Sequence, residues 1–197
     1  MKRLNGQTLL ELLIATAVIG SGLFAATTIV FSNLQLSDRD ADEVVAVNLA
    51  REAIEQAKQL RDSNWLAGVP FDTGMVNALD DYSATPFWDG APGVNEISFD
   101  FAANDVSVET AKVRISQDPD TPGFYTQADR GAPETPWRRI VIFHPICDAL
   151  GGFTYKEDGQ TCGADQKVGV RVEARVQWQR KGKTFNRTMY EDLFDWR

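Results

Sequence analysis

Metal and catalytic chemistry have little to work with in this chain, which holds one histidine, His144, and two cysteines, Cys147 and Cys162. A zinc site needs several nitrogen or sulfur ligands close together, and His144 lacks such neighbours. The usual catalytic strings are missing too: no GxSxG elbow, no phosphate loop, no HExxH pair and no CxxC. Nothing therefore points to an enzyme, and His144, in "IVIFHP", reads as a structural residue at the end of an apolar strand. Positive charge is also short, with 20 Lys and Arg against 28 Asp and Glu and a formal net charge of −8. Outside a short "RKGK" turn there is no basic cluster, which argues against nucleic-acid binding.

The longest absence is of charge itself. Twenty-six consecutive residues, Leu12 to Ser37, carry none. About 20 apolar residues at a rise of about 1.5 Å each cross a hydrocarbon core of about 30 Å, so this run has membrane length. Glu11 stands directly in front of it, after Leu9 and Leu10. An ionised side chain there is expensive unless it has a partner. A secretory signal would use Lys2 and Arg3 as its basic start and "ATA" at 15–17 as its cut. Its apolar core spans only about 7–15 residues, however, and here Glu11 would fall inside it. A plain transmembrane anchor fits the length and leaves Glu11 unexplained.

The stretch "NGQTLLELLIATAVIG" resembles the class III signal of type IV prepilins and the related pseudopilins. That pattern is a short basic leader ending in glycine, followed by an apolar helix with glutamate at its fifth position. The resemblance implies cleavage between Gly6 and Gln7 by a prepilin peptidase, methylation of the new terminus, and an assembly role for Glu11. It also implies other pilin subunits and an inner-membrane assembly platform as partners. The chain would be a single-pass protein of the cytoplasmic membrane with its head outside, entering a cell-surface or periplasmic filament on assembly. Two departures are visible: Gln7 stands where the family usually has phenylalanine, and the family's helix-bending proline is missing. Gly20 and Gly22 are then the expected weak points, each costing about 1 kcal/mol relative to alanine in a helix.

Beyond the apolar run, Val47, Ala50, Ile54 and Ala57 recur at helical spacing, with Val44 and Leu60 near the same stripe. This predicts an amphipathic helix over 37–62; Ser37 and Asp40 resemble a capping box, which reads as a break or kink there, and a continuous helix from about residue 8 to 62 is the other reading. Arg51–Glu55, Glu55–Lys58 and Lys58–Asp62 are placed to pair on its other face. From residue 63 onward turns and strands take over. "NWLAGVPFDTG" and "ATPFWDGAPGVNE" read as loops, and 96–101, 107–116 and 138–146 as strands. In "KVGVRVEARVQW", Val168, Val170, Val172, Ala174, Val176 and Trp178 alternate with polar residues and Gly169, so one face is buried and the other wet. The "RKGK" turn folds the closing segment back as a hairpin. The expected fold is α+β: a long N-terminal helix packed on an antiparallel β-sheet head, pilin-like by the resemblance. Its expected divisions are a leader over 1–6, an apolar membrane and assembly helix over 7–36, the amphipathic helix over 37–62, and a head over 63–197.

Cys147 and Cys162 are expected to pair, because an even count behind a membrane-targeting N-terminus suggests an exported chain; two separate thiols are the alternative. A loop of that size would stabilise the fold by about 3 kcal/mol in the chain-entropy model. Asp118, Asp120 and Asp129 gather in a loop of the oxygen-rich kind that can hold Ca²⁺, but the spacing is not an EF-hand and a solvated turn is the default reading. No other cofactor is expected. The five tryptophans read as core or sheet-edge packing, with Trp88 in a Gly/Pro loop as a candidate partner contact. The reading that follows is a minor pilin or pseudopilin, a structural subunit of a type IV pilus-like or type II secretion filament. The alternative is a membrane-anchored adhesion or binding module with a pilin-like head.

Overall fold

The structure is a computed structural model that describes residues 7–76, 82–89, 96–101, 105–119, 122–127, 131–157 and 160–195. Its first element, α1, is a single helix from Gln7 to Ala67. The strands that follow are β1 (Ser83–Asp89), β2 (Glu96–Asp100), β3 (Lys112–Ile115), β4 (Tyr125–Thr126), β5 (Glu134–Ala149), β6 (Gly152–Tyr155), β7 (Gln166–Arg180) and β8 (Lys183–Phe194). The chain divides into two compact units, Met1–Val44 and Val45–Arg197. In the second unit the helix packs on an antiparallel sheet, an α+β architecture.

The expected break near Ser37 does not occur, and the helix also runs unbroken through Gly20 and Gly22. One cap hydrogen bond stabilises by about 1 kcal/mol, less than the several intrahelical bonds that a break would forfeit. The helix stops at Ala67, five residues later than the pattern suggested. There the amide of Gly68 donates to Trp65 O at 3.2 Å and that of Val69 to Asn64 O at 3.1 Å. This is a Schellman ending, with Gly68 at φ 71° as its left-handed residue and Pro70 barring continuation. Asn64 then holds the following turn, its amide donating to Phe71 O at 3.0 Å and to Thr73 O at 2.8 Å.

β5 organises the sheet. β7 runs along one of its edges from Trp137 to Asp148. Its other edge is shared by β3, β1 and β6. β8 pairs with β7 through a two-residue turn in which Lys181 and Gly182 both have positive φ, 49° and 74°. That is the primed turn which matches strand twist, so the "RKGK" hairpin is as expected. The stretch 84–96, expected as a loop, instead contains most of β1. Thr85, Phe87 and Trp88 favour a strand, and Pro86 is tolerated because β5 pairs with β1 only at Ser83 and Ala84. Within 107–116, expected as one strand, only Lys112–Ile115 pairs as a strand, behind a 3₁₀ turn at Glu109–Ala111. The carbonyls ahead of that turn accept from the Arg138 guanidinium, Ser107 O at 2.8 Å and Val108 O at 2.9 Å, which replaces a ladder.

The main core lies between the helix and the sheet. Ala46, Leu49, Ala50, Ala53, Ile54 and Ala57 face Val113, Val141, Phe143, Val170, Val172, Ala174, Val176 and Leu193. Ala50, Ile54 and Ala57 are buried as expected, and the stripe widens to Ala46, Leu49 and Ala53. Val44 is 59% exposed, while Leu49 and the alanines, too small to stand out in a hydrophobicity pattern, bring the helix close to the sheet. Trp178 is buried and stacks on Phe185, as the alternation in β7 requires. A smaller cluster of Ala111, Ile140 and Ile142 lies apart from this core, packed by Val106 and Val108.

Candidate functional site

Two features have chemistry beyond packing. The first is the helix surface ahead of the sheet. From Leu9 to Asp40 every side chain described is exposed, including Leu12, Ile19, Phe24 and Phe31. The helix is long and apolar enough to cross a membrane. Four of its hydroxyls, on Thr16, Ser21, Thr27 and Thr28, suit that medium because they are satisfied within the helix. Thr16 Oγ1 donates to Leu12 O at 3.0 Å, Ser21 Oγ to Val18 O at 2.9 Å, and Thr28 Oγ1 to Phe24 O at 2.9 Å. No water is needed to complete these bonds, as hydrocarbon demands. Glu11 is exposed on the first turns of this surface, among leucines. Gln7 opens the helix, while Gly6 lies outside the described residues.

The second feature is a polar network on the sheet face turned away from the helix. Strand alternation puts His144 of β5, Arg171, Glu173 and Arg175 of β7, and Tyr190 and Asp192 of β8 on that face. His144 Nε2 lies 2.8 Å from Glu173 Oε2, and its Nδ1 lies 3.1 Å from Lys156 O. Arg175 Nε donates to the other Glu173 oxygen. Burial pushes the Glu173 carboxyl up, but the hydrogen bonds and charges of His144 and Arg175 outweigh it and hold the group below the usual carboxylate range.

Beside it, Arg171 grips Asp192 with two donors, at 2.7 and 3.0 Å. Its guanidinium lies 3.6 Å over the Tyr155 ring, whose hydroxyl donates to Asp192 at 3.2 Å. The Arg171 hydrogen bond is the main reason the Asp192 carboxyl is held low, and Asp192 in turn raises Arg171. Both nitrogens of His144 face oxygens of the chain itself, Lys156 O and Glu173 Oε2, and neither faces a hydroxyl or thiol that it could activate. What the network can do is hold strands together and fix charge.

His144 thus sits within β5 rather than at its end. The sequence pattern missed this network because alternation assigns Glu173 to the wet face, whereas it is 4% exposed. The available signal was the run of charges at 171, 173 and 175, alternating in sign on one face of one strand.

The other candidates separate. Cys147 and Cys162 form a disulfide, with Cα atoms 5.6 Å apart. Asp120 and Asp129 lie outside the described residues, and Asp118 has its amide on Ser116 Oγ at 3.2 Å. Among the described residues no cluster of three or more His, Cys, Asp or Glu is placed to hold a metal ion. The backbone of Trp88 belongs to β1, not to a loop. Of the expected helix pairs, Lys58 reaches Glu55 at 3.1 Å, and it also reaches Glu191 of β8 at 3.0 Å.

No family model, no curated protein and no solved structure matches this chain.

Proposed function

We propose that this chain is a structural subunit of a type IV pilus-like or type II secretion filament, a minor pilin or pseudopilin anchored in the membrane before assembly. The observation that supports it most is an uninterrupted helix whose apolar part, up to Ser37, carries a single carboxylate, Glu11, at its start. An ordinary anchor gains nothing from that residue. In a helix bundle of subunits, cleavage after Gly6 would create an ammonium at Gln7, and the Glu11 of a neighbouring subunit would meet it in a medium of low dielectric. Each charge would then have a partner only in the correct axial register.

Two measurements test this. N-terminal sequencing of the mature protein is expected to begin at Gln7; an intact Met1 or a start near Ala17 defeats the proposal. Glu11→Ala is expected to be cleaved normally and to be lost from sheared filaments. Normal incorporation of that variant would refute the charge-pairing mechanism.

A further inference from the structure

We propose that His144 is a pH-dependent clamp holding β6 and Lys156 onto the sheet. The two partners of the ring are a backbone carbonyl, Lys156 O at 3.1 Å, and a carboxylate oxygen of Glu173 at 2.8 Å. Both are acceptors, and a neutral imidazole carries one N–H. The two contacts are therefore both hydrogen bonds only while the ring holds two protons. When one is lost, one ring nitrogen must turn a lone pair toward an oxygen lone pair, and one tie is broken. Histidine is the side chain suited to exchange a ring proton between mildly acidic and mildly alkaline solution.

The neighbouring charges support that behaviour. From β7, Glu173 faces the ring with Arg175 donating to its second oxygen, and Arg171 lies opposite His144 in the strand register. From β8 come Asp192, which holds both donors of Arg171, and Tyr190. From β6 comes Tyr155, stacked on Arg171 and bonded to Asp192. Arg171 is thus compensated by its own carboxylate, and Glu173 is left as the anion that answers the ring.

The segment being clamped is short and lightly held. β6 pairs with β5 over four positions, from Ile146↔Tyr155 to Ala149↔Gly152, and Lys156 N donates to Pro145 O at 3.0 Å. It exposes Phe153 and Tyr155 to solvent. The Cys147–Cys162 disulfide ties the chain on either side of it. Loss of one His144 bond therefore loosens a strand that stays covalently tethered.

The test is amide exchange of Gly152–Lys156 in the full chain in detergent micelles, corrected for intrinsic exchange, at about pH 5.5 and about pH 8. Protection is expected to fall about fivefold at the higher pH, the size of one hydrogen bond, with β7 unchanged. In His144→Gln, whose amide does not titrate, protection is expected to be equal at both. Ring-nitrogen NMR shifts of the unmodified chain give an answer independent of the variant's folding: two protonated nitrogens at the lower pH and one at the higher. Equal protection at the two pH values, the same fall in His144→Gln, or a neutral ring at both would overturn the proposal.

Discussion

Glu173 is a charged residue whose surroundings contradict its place in the pattern. Alternation along β7 sends it to the solvent side, yet it is 4% exposed and bonded to His144 and Arg175. A carboxyl held below its ordinary value binds a proton less readily in the folded chain than in the unfolded one. Its contribution is therefore complete above the unfolded value and lost as pH falls through the lower folded value. Asp192, held down chiefly by Arg171, acts in the same direction. Thermal midpoints measured from neutral pH downward are expected to drop through the carboxylate range. Glu173→Gln is expected to flatten that drop and to cost about 1–3 kcal/mol at neutral pH, because it leaves hydrogen-bond partners unmatched. A variant with an unchanged acid limb would show that Glu173 is not its source. At this scale the sequence showed which residue types were available and concealed which of them were buried.

Helix and sheet are joined by more than apolar packing. Arg139 of β5 is buried at their interface, its Nη1 donating to Leu49 O at 3.0 Å and lying 3.2 Å from Glu52. Burial pushes the guanidinium down, and Glu52 partly offsets this. Its Nε donates to Gln127 at 2.9 Å, and Gln127 in turn donates to the carbonyls of Thr110, Ala111 and Arg139. Helix, central strand and the 3₁₀ segment are thus tied at one point. Arg139→Met, which keeps the volume and removes the donors, is expected to lower unfolding free energy by about 1–3 kcal/mol in denaturant melts. A loss within about 0.5 kcal/mol, the range of ordinary surface changes, would show the tie to be energetically idle. Among the elements, the helix, β7 and its hairpin were legible because period and turn chemistry agree in them. β1 and β6 were not: β1 lies in a Gly/Pro-rich stretch that read as a loop, β6 was not expected at all, and only the partner strands supply the bonds that make these stretches extended.

Taken whole, the molecule is an amphiphile. The described side chains from Leu9 to Asp40 are exposed and mostly apolar until the polar stretch that begins at Ser37, while the sheet unit has a core of its own. Apolar surface costs about 25 cal/mol per Å² in water, so the full chain is expected to stay in the membrane pellet after alkaline carbonate washing and to need detergent for extraction. A chain beginning at residue 38 keeps the buried helix residues from Ala46 onward and is expected to be water-soluble, with Cys147–Cys162 formed and one cooperative melt. Aggregation of that shorter chain, or release of the full chain by carbonate, would count against this division.

By itself the sequence determined the membrane-length helix, the α+β class and the alternating strand β7. Each of these rests on short-range periodicity or on composition, which a single chain displays directly. Only the tertiary structure decided that α1 runs unbroken past Ser37, how wide its buried face is, that Cys147 is joined to Cys162, and where Arg139, His144 and Glu173 find their partners. Those outcomes depend on groups far apart in the chain, and the burial that raises the cost of an unpaired charge exists only once the sheet has assembled.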